Sequence, residues 1–179
     1  MRLRNITLGN IEGTFRVCKR CSESMFKTIL VASNGSALAD RALAVAERLA
    51  RESRSHLVLA HIIEVMRSRG STLPVNPSEE WLQKKIRLQV EDLRVSGVDA
   101  DLEVRTTSGE PARLIVDMAQ ACEADLIVVG AGRRSLIGEL AFGSVGRRVP
   151  RLASCPVLVI PPRLERTSVR DALRVVDSQ

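Results

Sequence analysis

The chain of 179 residues has few aromatic side chains: three Phe, one Trp and no Tyr. So few rings argue against a surface that binds single-stranded nucleic acid by stacking its bases. Long apolar runs are also missing. None reaches the eighteen or so residues of a transmembrane helix, and residues 1–15 lack the continuous apolar segment of a secretory signal. We therefore expect no membrane partner and a cytoplasmic location.

Cysteine is sparse. The four cysteines are Cys18, Cys21, Cys122 and Cys155. Their spacing shows no framework of secreted disulfides, which favours a reducing compartment. The single C-x2-C pair at 18 and 21 lacks the second pair that a structural zinc site usually needs. We therefore predict no metal held by the protein, and we expect the two later cysteines to be small buried hydrophobic residues.

The net charge of +6 comes from 27 basic and 21 acidic residues. Residues 1–24 hold five basic and two acidic residues, and residues 163–179 hold four and three. The remainder, 25–162, is nearly balanced. Basic ends attract polyanions only generically, so they do not predict a nucleic-acid partner. A cluster later in the chain indicates either a solvated face or a positive field beside an anionic ligand; it comprises Arg133, Arg134, Arg147, Arg148 and Arg151.

Four short, mostly apolar runs and one segment of alternating residues are separated by segments of helical periodicity. The runs are 26–32, 56–63, 125–130 and 156–161, and the alternating segment is 102–107. Such runs are typical of strands buried on both faces of a parallel sheet, and right-handed crossovers then give an open doubly wound α/β fold with helices on both faces. We expect loops at 64–75 and 131–142, and a short helix from Ser144.

Two helices have clear apolar stripes. The first follows a cap at Ser36, and the second begins near Asn76 and ends at Gly97. The predicted stripes are Leu38, Ala42, Val45 and Leu49 in the first helix, and Leu82, Ile86, Val90 and Leu93 in the second.

Ligands of such sheets bind beyond the carboxyl ends of the strands, where the strand order reverses. Gly130 and Gly132 follow the fourth strand directly, and Gly143-Ser144 opens a helix whose free N–H groups suit a phosphate. The alternative is that these glycines only permit turns. Ser135 breaks a G-x-G-x-x-G motif, no P-loop is present, and we interpret His61 as a structural residue rather than a general base. No residue is predicted to be catalytic.

Several ordered segments resemble the universal stress protein family. They are FKTILVASNGS, HLVLAHII, SGEPARLIVDMAQACEADLIVVG and GAGRRSLIGELAFGSVGRRVPRLASCPVLVIPP, which together span about 25–162. The family nucleotide pattern G-x2-G-x9-G-[ST] is matched by Gly130, Gly143 and Ser144. At the position of its second glycine this chain has Arg133. Asn34 replaces the acidic residue that usually follows the first strand.

The resemblance implies five parallel strands in the order 3-2-1-4-5 and binding of ATP or a related adenine nucleotide, with Mg or Mn carried by the phosphates. It also implies a homodimer through the last strand, and signalling with at most weak ATP hydrolysis. Around the nucleotide it places Ala32, Asn34, Ile62, Val129, Gly130, Gly132, Arg133, Gly143, Ser144 and Val145. Two alternatives stay open: a dimeric interaction module in which Arg133 fills the pocket, and an enzyme related to nucleotidyl transferases.

The ends of the chain lie outside this resemblance. We expect residues 1–24 to be a disordered extension, preceding the first strand of a domain at 25–162. Residues 163–179 form a tail in which Val169, Leu173 and Val176 have helical spacing, which favours a short helix.

Overall fold

A computed structural model describes residues 25–68, 71–131 and 144–161. Apolar, partly β-branched runs form the strands, and segments with an apolar stripe form the helices. The strands are β1 (Thr28–Ser33), β2 (His56–Ser68), β3 (Ser71–Pro74), β4 (Ala100–Thr107), β5 (Leu126–Gly130) and β6 (Val157–Ile160). The helices are α1 (Ala37–Ser53), α2 (Glu79–Val95), α3 (Pro111–Ala121) and α4 (Ser144–Leu152). The expected extension at 1–24 and tail at 163–179 lie outside the described residues.

The sheet is mostly parallel and has six strands. Strand β1 lies between β2 and β5, while β4 pairs with β2 and β6 pairs with β5, all in parallel. Strand β3 pairs with the end of β2 in the antiparallel direction. The hydrogen-bonded path is therefore β3-β2-β1-β5-β6 with β4 also on β2. The antiparallel β3 is an addition to the five predicted strands, whose third, at 102–107, is now β4 and pairs with β2 as the predicted order requires.

The predicted loop at 64–75 is wrong, because β2 continues to Ser68 and turns back as β3. All four residues of β3 are exposed. A two-stranded ribbon outside the core needs no apolar run, so the segment lacks the signal that marks the buried strands.

Helices cover both faces of the sheet. Side chains of α1 and α2 pack in one apolar cluster with β-strand residues such as Ile29 and Leu59. Side chains of α3 and α4 pack in a second cluster on Leu30 and Ile127. Residues adjacent along β1 thus contribute to opposite clusters, as the alternation of a strand requires. Within the described ranges, no helix is both long and apolar enough to cross a bilayer.

The predicted stripe of α2 is buried, whereas that of α1 is only partly correct. The buried residues of α1 are Ala39, Ala42, Leu43, Ala46 and Ala50. Val45 and Leu49 are only partly buried. Alanines bring the helix close to the sheet, and the larger residues lie beside the line of closest approach. The large apolar residues of α1 therefore predict a buried face that is rotated about the helix axis from the face that is buried in the structure.

Candidate functional site

At the carboxyl ends of the neighbouring strands β1 and β5, the chain continues in opposite directions along the sheet. From β1 it crosses to β2 on one side, and from β5 it crosses to β6 on the other. The carboxyl ends of these two neighbouring strands are Ser33 and Gly130. A sheet of this kind binds ligands at such a point.

A network of short-range hydrogen bonds fixes the turn after β1. Ser33 Oγ accepts from the N–H of Gly35 at 3.2 Å, and Asn34 Oδ1 accepts from the N–H of Ser36 at 3.2 Å. Ser36 then caps α1, its Oγ accepting from the N–H of Ala39 at 3.3 Å. Asn34 is exposed. Its oxygen accepts within the turn, and its carboxamide nitrogen is a potential donor to a ligand.

Helix α2 packs directly on this turn. Gly35 has a φ of +67°, and a Cβ there would lie 2.0 Å from Leu82 Cδ1. Lys85 Nζ donates to the carbonyl oxygen of Gly35 at 2.8 Å and to Asp40 Oδ2 at 2.8 Å. The position therefore needs glycine for both backbone conformation and space, and α2 holds the turn in place.

His61, at the end of the predicted second strand, is 1% exposed. Its Nδ1 lies 2.9 Å from the carbonyl oxygen of Ser33, and its Nε2 lies 2.7 Å from Glu79 Oε1. The ring thus links β1, β2 and the first turn of α2. Since both nitrogens are engaged in the interior, the interpretation of His61 as structural is supported by its surroundings.

Four of the predicted apolar contacts meet on one face of the sheet. Ala32, Ile62 and Val145 are partly buried and pack on the cluster that α3 and α4 cover. Val129 belongs to the same cluster but is 1% exposed. Its side chain is therefore a core residue, and only its backbone remains as a predicted ligand contact.

Gly130 has a packing reason of its own. A Cβ at this position would lie 3.0 Å from Leu38 Cγ and 3.1 Å from the Leu38 carbonyl oxygen. Close packing of α1 on the end of β5 therefore favours a residue without a side chain here. Ser144 is exposed at the first residue of α4, which is consistent with the predicted phosphate-binding role. The other predicted loop positions, Gly132, Arg133 and Gly143, lie outside the described residues.

The three arginines of α4 differ in their surroundings. Arg148 Nε forms an ion pair with Glu110 Oε1, the residue that precedes α3. Arg147 and Arg151 are exposed. Among the residues described, no three His, Cys, Asp or Glu side chains come together as a metal site.

A cavity of about 360 Å³ lies at the opposite, amino end of β5 and β6. Cys155 lines it, together with Ala119 and Ile127. Burial raises the pKa of the Cys155 thiol, and burial also raises that of Cys122. Both thiols are only partly buried, which corrects the expectation of fully buried residues.

The family model described as the universal stress protein family matches residues 25–161. The chain belongs to this family. A universal stress protein of Thermus aquaticus is 34% identical over 137 residues, covering 76% of this chain and 99% of the relative.

Solved structures of family members show the same fold. A universal stress protein from Archaeoglobus fulgidus in complex with dAMP is 26% identical, with a TM-score of 0.56, and the match covers 76% of this chain and 98% of that one. A universal stress protein in complex with cAMP is 25% identical, with a TM-score of 0.59 and the same coverage.

Sequence analysis missed the residues that hold the site from behind. The sequence predicts no role at the site for Glu79, Lys85 or Gln89. Yet Gln89 Nε2 donates to Asp40 Oδ1 at 2.9 Å, beside the contact of Lys85. The sequence signal that could have indicated this contact is the spacing of Lys85 and Gln89, two polar residues one helical turn apart on α2.

Proposed function

We propose that this universal stress protein family member binds an adenine nucleotide beyond the carboxyl ends of β1 and β5. The observation that carries the proposal is the meeting, at this point of strand divergence, of a rigid turn at 33–36 and the partly buried side chains of Ala32, Ile62 and Val145. An apolar surface beside a few polar groups is the usual lining of a small-molecule site. Family members crystallised with dAMP and cAMP support adenine as the base.

Each part of the ligand has a counterpart in the chain. The base would lie on Ala32 and Ile62, and the Asn34 carboxamide would donate to the ribose or the base. The phosphates would lie at the start of α4, where Ser144 and the first N–H groups are available. The sequence pattern adds Gly132, Arg133 and Gly143 to this end of the site.

We propose ATP as the ligand, with Mg or Mn carried on its phosphates, and we propose a signalling role rather than catalysis. His61 is buried and both of its ring nitrogens are engaged in hydrogen bonds. This supports a role other than catalysis, because a general base must reach the substrate. A cytoplasmic location and a homodimer through β6 are also part of the proposal. Within the described residues β6 pairs only with β5, so its outer edge is free to pair with a second copy.

Isothermal titration of the full chain with ATP, AMP and cAMP tests the site. We expect heat of binding, and a loss of about tenfold in affinity for Asn34→Ala if one hydrogen bond to the ligand is lost. Asn76→Ala is the matched control, because Asn76 is also exposed and its Oδ1 accepts from the N–H two residues later, that of Ser78, at 3.0 Å. Absence of heat at about 1 mM nucleotide would overturn the proposal and favour the interaction module.

A further inference from the structure

Helix α2 carries a second apolar stripe that faces solvent. Trp81, Leu88 and Val95 are 64%, 57% and 82% exposed. They are seven residues apart, and seven residues are almost two full turns, so the three side chains lie in one line about 21 Å long. The buried stripe of the same helix lies on another face. Large apolar residues in a line, with a Trp at one end, are typical of an interface rather than of a solvated surface.

The two flanks of this stripe differ. On one side, Lys85 and Gln89 are already engaged with Asp40 of α1. On the other side lie Lys84 and Glu91. Both are exposed, and neither has an ion-pair partner in the part of the chain that the structure describes. The positions of this flank next to the stripe thus hold one positive and one negative charge seven residues apart, and the exposed Glu80 and Arg87 lie farther round the helix.

From this pattern we infer that α2 is an interface for a second copy of this chain, with the two helices antiparallel about a two-fold axis at Leu88. Lys84 lies about 6 Å before Leu88 along the helix and Glu91 about 4.5 Å after it. Reversal of the partner helix brings Glu91 of the second copy beside Lys84, and the symmetry repeats the pair. Trp81 then meets Val95 of the second copy, and Leu88 meets Leu88.

A two-fold interface must be complementary to itself, and this flank meets that condition. A parallel pair of helices would instead bring this flank beside the partner's other flank, where Lys85 and Gln89 are already engaged with Asp40. The proposed contact is separate from the strand pairing proposed for β6, because α2 and β6 lie in different parts of the fold and share no residue. A chain that uses both contacts would assemble beyond a dimer.

Charge reversal tests the contact by sedimentation equilibrium across a concentration series. Lys84→Glu gives two negative flanks and Glu91→Lys two positive flanks, so each variant alone should associate about tenfold more weakly than the unmodified chain. An equimolar mixture of the two should associate about as well as the unmodified chain, because opposite flanks then meet. The double variant K84E/E91K should also recover association, and Leu88→Glu should abolish it.

Two exposed residues of α1 provide matched controls. Arg48→Glu and Glu52→Lys make the same changes in net charge away from the stripe, and we expect association to be unchanged in both. Pairing through β6 does not depend on residues 84 and 91, so the mixture experiment reports on α2 alone. The inference is wrong if the mixture associates no better than its components, or if no association step up to about 1 mM protein responds to L88E.

Discussion

His61 and Glu79 are hydrogen-bonded to each other inside the protein. Nδ1 of His61 lies 2.9 Å from the carbonyl oxygen of Ser33, which can only accept, so this nitrogen donates. Nε2 lies 2.7 Å from Glu79 Oε1. The two side chains are 2% and 7% exposed. This buried contact fastens α2 to the end of β1.

Glu79→Ala should destabilise the fold by about 1–3 kcal/mol, because it leaves a buried imidazole nitrogen without a partner. Glu79→Gln should cost less, since the amide can donate to a neutral Nε2 while Nδ1–H remains on Ser33. Urea unfolding followed by circular dichroism measures both. Glu80→Ala, at the exposed neighbouring position, should leave the unfolding midpoint nearly unchanged, and equal losses at 79 and 80 would contradict the assignment.

Gly35→Ala and Gly97→Ala form a second pair of variants that separates packing from backbone strain. Both glycines have a positive φ, of 67° and 83°, so alanine costs roughly 1 kcal/mol at each. Only Gly35 also faces an obstacle, Leu82 Cδ1 at 2.0 Å, whereas nothing lies within 4 Å of a Cβ at Gly97. We expect G35A to be more destabilising by a further 1–3 kcal/mol or so. Chemical denaturation measures the difference, which Leu82→Ala should reduce; indistinguishable losses would show that the turn adjusts freely.

Asp125 should make stability depend on pH. The N–H groups of Thr28 and Lys27 donate to its Oδ2 at 3.0 and 2.6 Å and lower the pKa of this carboxyl. Because the folded pKa lies below the unfolded value of about 3.9, the stabilisation is complete above that pH and is lost as the pH falls through the folded pKa. The gap in unfolding free energy between the unmodified chain and Asp125→Asn should therefore be constant near neutrality and close below about pH 4. A gap that is the same at pH 7 and pH 3 would argue against the two hydrogen bonds.

The buried parallel strands were predictable because burial on both faces leaves an uninterrupted apolar run in the sequence. Strand β3 was not, since a ribbon in solvent needs no such run and Pro74 discourages a strand assignment. The predicted buried face of α1 differs from the observed one for a related reason. Small buried residues that the predicted stripe omits, such as Ala46 and Ala50, carry a weaker hydrophobic signal than Val45.

For the candidate site, spacing along the chain predicted the turn at Asn34 and the cap at Ser36, because each depends on atoms two or three residues apart. The partnership of His61 with Glu79 spans eighteen residues. It depends on how α2 packs on the sheet, which no local pattern encodes. The same holds for Lys85 and Asp40, which are 45 residues apart.

Gly130 can be assigned to packing or to ligand approach by its alanine variant. The nearest atoms to an added Cβ are Leu38 Cγ at 3.0 Å and the Leu38 carbonyl oxygen at 3.1 Å, so α1 must shift by a few tenths of an ångström. We expect Gly130→Ala to lower the unfolding free energy by about 1–2 kcal/mol in the absence of nucleotide. Leu38→Ala should relieve only part of this loss, because the backbone contact remains.

Gly109→Ala is the control for Gly130→Ala, since its nearest neighbour, Thr107 Oγ1, lies at an ordinary 3.5 Å. Urea denaturation of the three variants, followed by nucleotide titration of those that stay folded, separates the two roles. If G130A is as stable as the unmodified chain but no longer binds nucleotide, close approach of a ligand is what requires glycine here. If it is destabilised and still binds, packing of α1 against β5 is sufficient to explain the residue.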